Sequence, residues 1–431
     1  MRKNISNKLG LLAGGLLLVL LPGCFKDKIT KTYTVIRPVY SLKASFLGAI
    51  NGNPAQPIGT IGRIYTKDNF IYLNEPDKGI HVIDNSDPSH PKQIAFFNIP
   101  GNEEIAIKGN TLYADMYREL LAIDISNPQH IKVTGMTANA FADRYEGIAG
   151  YTSVNNGVVM DSSLILTGYV TKDTTMNTAA PSTIYYGGGP IFFADPTFFS
   201  ANSSSSNAGS ATGVAGSMAK MVLLNNFLYT ISEPHSVAIL DVSNTSLPGA
   251  VSSVFAGLDL ETIYPFQNKL FLGSKEGVYI LDVSNPTQPV KQGAFTHGNA
   301  CDPVIADEHF AYVTLHTGTS CGGTTNELDV VDVHDLQNPV LVISYPMTKP
   351  EGLSKDNNLL FVCDGSIGVK LYNAGSPASL QLLTEIPTGG TEATDVIAAN
   401  QHLLVIAGGS LYQYDYSDTK NIRLLSTLSV K

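Results

Sequence analysis

Short apolar runs alternate with turn residues along almost the whole chain, and they do so on a fixed period. The phrase VYILDVSNP at residues 278–286 marks that period best, and related phrases stand at residues 80–88, 120–128, 237–244, 328–338, 369–377 and 411–419. Their shared acidic position falls at Asp84, Asp124, Asp241, Asp282, Asp332, Asn373 and Asp415. Five of the six steps between these residues span 40 to 50 positions; the sixth, from Asp124 to Asp241, spans 117. The pattern predicts a repeat architecture with one large insertion.

Each unit carries four strand-length segments. An apolar run such as Phe70-Ile71-Tyr72-Leu73 or Leu270-Phe271-Leu272 lies about ten residues before the phrase, with a short polar turn ahead of it. Another run precedes that turn, and a fourth follows the phrase. β-Branched and aromatic residues fill these segments, and Gly, Pro, Asn and Asp bound them. Four strands in a period near 40 residues is the signature of a propeller blade. No 12-residue stretch with 3.6-residue periodicity supports a helical solenoid. The expected fold is all-β: a propeller of seven four-stranded blades, with an insertion at about 138–215 between the second and third repeats. Residues 34–50 read as one or two strands, which could close the ring beside the last blade. With a strand pair over 158–170 they could instead make an eighth blade.

The phrase resembles the LVIVD repeat, found in bacterial and archaeal cell-surface proteins. The resemblance covers roughly residues 60–430 outside the insertion. It departs at Asn373, which replaces Asp, and at the seventh unit, where no Pro follows. It implies a β-propeller and a surface location, and it brings no catalytic residues.

The N-terminus supplies an address. Arg2, Lys3 and Lys8 precede an apolar core that ends in Leu21-Pro22-Gly23-Cys24. A basic end, a short apolar core and small residues at its exit make an export signal, too short for a stable span. The last four residues resemble a lipobox, so residues 1–23 are expected to be removed and Cys24 acylated; ordinary cleavage leaving a free thiol is the alternative. Residues 24–33 then form the acylated Cys and its tether, and residues 34–431 a single propeller domain. Phe25 after the Cys gives no inner-membrane retention signal, which favours the outer membrane of a bacterial envelope. The face of that membrane is not encoded.

Removing the three basic residues takes the formal charge from −10 to −13, which disfavours nucleic acid as a partner. Export permits disulfides. Cys301 precedes the first strand of the fifth unit, and Cys321 lies between its second and third strands, so both belong to one rim. A bond closing this loop would contribute about 3 kcal/mol in the chain-entropy model. Cys363 ends an apolar run and reads as a buried thiol.

Two stretches carry candidate chemistry. The low-charge insertion contains Tyr185, Tyr186, Phe192, Phe193, Phe198 and Phe199, and aromatics in a polar loop suit a glycan or protein ligand; the plainer reading folds them back onto the propeller. The entry of each unit's innermost strand carries Glu104, Glu261, Asp302, Glu351 or Asp395, with Arg63 and Lys220 in the other two units. Converging carboxylates at one channel mouth would suit a cation such as Ca²⁺; the plainer reading is a solvated ring balanced by Arg63 and Lys220. No cofactor is required by any motif, and no nucleophile elbow, HExxH or P-loop occurs. The expectation is a monomeric, membrane-anchored binding module without catalysis. The alternative is a cation-dependent hydrolase or lyase at the acidic mouth.

Overall fold

The aspartate of the repeated phrase closes the third strand of each unit by capping its own turn. In the computed structural model, Oδ1 of Asp84, Asp124, Asp241, Asp282, Asp332 and Asp415 accepts the backbone N–H two residues on, at 2.7–3.0 Å. Asn373 does the same to Gly375 at 2.9 Å. An amide oxygen accepts as a carboxylate does, so the turn survives where the repeat departs from Asp. The following residue's N–H returns to the preceding hairpin: Ile125 to the Asn110 carbonyl, Val283 to Asn268 and Ala374 to Asn358, at 2.7–2.9 Å.

The structure describes residues 30–142, 162–177, 214–297, 303–317 and 323–429. The chain divides into two compact units. One comprises residues 38–146, 154–169 and 193–431 and holds seven four-stranded antiparallel blades. The other comprises residues 1–37, 147–153 and 170–192. The strands Thr30–Leu42 and Leu164–Asn177 form a two-stranded sheet of their own.

Blade 1 runs Ile64–Lys67, Phe70–Glu75, Gly79–Asp84, Lys92–Asn98, and blade 2 runs Ile105–Lys108, Thr111–Met116, Glu119–Asp124, Lys132–Thr137. Blades 3 to 7 begin at Met221, Leu260, Val304, Pro350 and Ala393 and end at Phe255, Thr296, Pro346, Ile386 and Ser429. The two middle strands of a blade are buried on both faces, as in Phe70–Glu75 and Gly79–Asp84. That is why they read as continuous apolar runs rather than as alternating ones. The outer strands alternate and are half-exposed.

One large apolar wedge per blade fills the space to its neighbour. Tyr72, Tyr113, Tyr229, Phe271, Tyr312 and Phe361 hold the same place in the second strand of blades 1 to 6, and all are buried. Leu404 takes that place in blade 7. Burying a side chain of this kind contributes roughly 1.5–3 kcal/mol. Every outer strand carries a bulge against its partner. Beside two of these bulges glycine is required: a Cβ on Gly135 would lie 1.7 Å from the Ser246 carbonyl oxygen, and on Gly293 1.9 Å from that of Leu336. The outer strand thus rests on the capped turn of the next blade.

The ring closes without a shared strand, by packing and two side-chain hydrogen bonds. Blade 7 owns all four of its strands, and Ile397, Leu404, Ile406 and Leu411 meet Ile64, Ile71, Leu73 and Ile83 of blade 1. Gln413 Nε2 donates to Asn85 Oδ1 at 2.9 Å, and Ser426 Oγ to the Pro88 carbonyl at 2.7 Å. Residues 34–50 do not close it: after Leu42 they form a short helix, Lys43–Ala49. Residues Gly52–Asn53 then pair with the outer strand of blade 1. Among the described residues no eighth blade forms: its two expected parts pair with each other as a two-stranded sheet. Among the described residues no helix is long and apolar enough to cross a membrane.

Asp124 tests the capped turn, since the Ser126 N–H bond is its side chain's direct role there. Asp124→Ala should cost about 1 kcal/mol in urea unfolding. Asp124→Asn, which reproduces the arrangement at Asn373, should stay within about 0.5 kcal/mol of wild type.

Candidate functional site

The first strands of neighbouring blades lie against one another around the axis, and the carboxylates singled out in the sequence stand at their entries. Two buried aspartates set up those entries. Asp115, at the end of a second strand, accepts the N–H groups of Glu103 and Glu104 at 2.8 Å each, and Asn102 Nδ2 at 2.7 Å. Asn74 of blade 1 donates to Asn102 Oδ1 at 2.8 Å, so the network ties blade 1 to blade 2. Asp364 does the equivalent in blade 6, accepting the N–H groups of Thr348 and Lys349 at 2.7 and 2.8 Å, with Lys370 Nζ at 2.7 Å.

Glu104, Glu351 and Asp395 come together with Arg63; the shared field is felt at Asp395. Glu104 is buried and engaged through both oxygens: Oε1 accepts Arg63 Nε at 3.2 Å, and Oε2 accepts the Lys220 backbone N–H at 3.0 Å. Glu351 pairs with Lys349 Nζ at 3.1 Å, and the same ammonium reaches Glu392 at 2.7 Å. Burial raises the Glu351 carboxyl above its ordinary range. Asp395 is 4% exposed. Its Oδ1 accepts the Val396 N–H at 2.9 Å, while Oδ2 meets no donor. Burial pushes its carboxyl up to about 6; Arg63 opposes this, and Glu104 and Glu351 add to it. Glu261 stands in the first strand of blade 4, half-buried. Asp302 lies outside the described residues.

Sequence reading missed what fills this mouth. The insertion returns through residues 214–220, which cross the axis. Val214 and Ala215 pair with Thr66 and Tyr65 on the inner edge of blade 1. Ser217 Oγ accepts the Leu353 N–H of blade 6 at 2.9 Å. The Ala219 carbonyl accepts the Ile263 N–H of blade 4 at 2.9 Å. Gly216 lies on Asp395 of blade 7, so closely that a Cβ there would be 2.2 Å from Oδ2. The available signal was the run of small residues from Gly213 to Ala219, interrupted only by Val214 and Met218, at the end of a stretch otherwise read as loop.

This arrangement is poorly suited to open chemistry. Among the described residues no group of three or more His, Cys, Asp or Glu is placed to hold a metal ion. Two open grooves, of about 500 and 470 Å³, lie beside blade 2 and away from the mouth. The second is lined by Arg118, Asn139, Phe141, Ser232, Glu233 and Ser252, among others, where the insertion leaves blade 2. Cys363 is a free, buried thiol, and its burial raises it well above the ordinary thiol range. Cys24, Cys301, Cys321 and the aromatics Tyr185, Tyr186, Phe192, Phe193, Phe198 and Phe199 lie outside the described residues.

Comparison with known proteins agrees with the fold. The LVIVD repeat model matches residues 58–98, 102–137, 215–255, 270–296 and 297–347. No curated protein matches the chain. The crystal structure of the computationally designed Ika8 protein superposes with a TM-score of 0.51 at 10% identity, covering 88% of this chain and 91% of that one. Sqt1 of Saccharomyces cerevisiae gives 0.49 at 9% identity and 88% of each chain. BamB from Moraxella catarrhalis gives 0.45 at 9% identity, over 86% of this chain and 95% of that one. At such identities a likeness speaks for fold alone, and only the first reaches a TM-score of 0.5. Blades 6 and 7 lie beyond the repeat matches yet keep the same capped turn. The chain is a seven-bladed β-propeller that carries LVIVD repeats across its blades 1 to 5.

Proposed function

We propose that this protein is an exported, lipid-anchored propeller of the bacterial envelope that binds a protein or glycan and catalyses no reaction. The observation that carries the reading is the state of the acidic mouth. Glu104 is engaged through both oxygens, Glu351 is paired with Lys349, and Asp395 is covered by Gly216. Carboxylates so engaged act as fabric, whereas a hydrolase or lyase needs an open position for substrate. Binding is assigned to the insertion, whose departure from blade 2 adjoins the groove at Arg118 and Phe141. Cys24 supplies the acyl anchor, in the outer rather than the inner membrane, and a Cys301–Cys321 disulfide stiffens blade 5. The protein acts as a monomer with no required cofactor and no nucleic-acid partner.

A cation-dependent reading has one observation on its side, the bare Oδ2 of buried Asp395. Asp395 separates the two. Its carboxyl takes the ordinary value of 3.8 unfolded and about 6 folded. An acid raised by folding adds stability below the unfolded value, and that stability is lost as pH climbs through the folded one. The loss is on the order of 3 kcal/mol and complete above about pH 6. Asp395→Asn is therefore expected to melt higher than wild type at pH 7.5 and to show no such advantage by pH 4. A melting temperature that rises with millimolar Ca²⁺ over EDTA, and loses that rise in Asp395→Asn and Glu351→Gln, would favour the cation site instead.

Deleting residues 178–212 tests the binding assignment. It leaves residues 214–220 in place, so the melting temperature should hold while retention on a glycan array or capture of envelope proteins is lost. Binding that survives the deletion moves the site to the blades. Cys24→Ala should shift the protein from the membrane to the soluble fraction and remove labelling by a palmitate analogue.

A further inference from the structure

Residues 214–220 sit at the centre of the ring with little to hold them. Their side chains are small at Ala215, Gly216, Ser217 and Ala219, and Val214 is exposed. Among the described residues their hydrogen-bonded ties are one or two per blade: a two-residue strand pairing to blade 1, the Ser217–Leu353 bond to blade 6, the Ala219–Ile263 bond to blade 4, the Lys220–Glu104 bond to blade 2 and the Ile231 N–H to Lys220 carbonyl bond to blade 3, with Ser217 and Ala219 buried. At blade 7 the contact is unfavourable. Gly216 covers an Asp395 carboxylate oxygen that has no donor, and a buried polar atom without a partner costs free energy.

The blades are held quite differently. Each is built on a full four-strand ladder of its own and packs on the next through a large buried apolar side chain, aromatic in blades 1 to 6 and Leu404 in blade 7. Local opening follows the apolar area and the protected hydrogen bonds that a segment contributes. By that measure residues 214–220 lie at the weak end of the molecule and the blades at the strong end.

We infer that residues 214–220 are a releasable plug. They leave the channel mouth as a unit while all seven blades stay folded, and in leaving they uncover Glu104 and Asp395. The same seven residues carry the C-terminal end of the insertion, so a pull on that end acts directly on the mouth. The inference stands whatever the insertion binds.

The chain contains no tryptophan, so Met218→Trp, at a half-buried plug position, gives a single reporter in the full-length protein. In a urea titration its emission and its quenching by acrylamide should change before far-UV circular dichroism is lost, and with a shallower urea dependence, since less surface is exposed. Coincident transitions would make the segment part of the blades and overturn the inference. Gly216→Val in the same background should expose the tryptophan without urea and leave the circular-dichroism midpoint in place. Loss of the whole fold in that variant also counts against a plug, unless Ser217→Ala separates the two. Removing that single acceptor should raise the opening constant roughly fivefold and lower the tryptophan midpoint but not the global one. Equal shifts of both midpoints overturn the inference.

Discussion

One hydrogen bond, made seven times, sets the geometry of this molecule. The side-chain oxygen that ends each third strand captures the N–H two residues on and turns the chain sharply into the fourth strand. Without it the turn would leave backbone donors bare at the point where one blade's corner supports its neighbour's outer strand. Gly135 on Ser246 and Gly293 on Leu336 show how close that support is. The cap therefore acts between blades as well as within one. It also explains why an acidic or amide residue sits at the end of an apolar run, where burial alone would favour another valine. Lys269 and Ser284 hold the Asp282 carboxyl down at about 2, so this cap stays ionised and intact except in strong acid.

The period made blade number and strand order legible, because capped turn, apolar runs and punctuation all repeat together. The aromatic wedge went unread although Tyr72, Tyr113 and Tyr229 recur inside a recurring run. Ring closure was not legible. It depends on Ile and Leu side chains from the two ends of the chain meeting across the ring, and sequence distance hides such a contact. Residues 43–49 were read as strand, yet they form a one-sided helix with no buried residue, where propensity and pattern give little guidance.

The acidic ring shows the difference between position and role. The sequence placed Glu104, Glu351 and Asp395 at strand entries correctly, because register follows from the period. It could not tell whether they faced solvent, an ion or the chain itself. The plug decided that, and its small residues resemble an ordinary loop when read as letters. Backbone N–H groups meet Glu104 and Asp395, and Arg63 meets Glu104 as well. Buried carboxylates are stable when each oxygen has a partner. Glu104 meets that condition and Asp395 meets it at one oxygen only, so the strain of the mouth is concentrated where Gly216 touches it.

The insertion separates blades 2 and 3 in sequence without separating them in space. Lys108 Nζ of blade 2 donates to Asn226 Oδ1 at 2.6 Å and to the Val242 carbonyl at 3.2 Å, both in blade 3. Thr137 Oγ1 donates to the Pro248 carbonyl at 2.6 Å. These bonds close a loop of more than a hundred residues, and loop-closure entropy grows only slowly with length. A long insertion therefore costs the ring little, provided its ends are fixed. One end is fixed on the rim, where Glu119 accepts the Asn139 N–H at 3.1 Å, and the other at the axis through residues 214–220. Rim and axis are unequal anchors. The rim end continues an outer strand laddered along its length onto the buried strand Glu119–Asp124, whereas the axial end rests on small side chains and an unsatisfied carboxylate. A load on the insertion is therefore carried by the blades at one end and yields at the other.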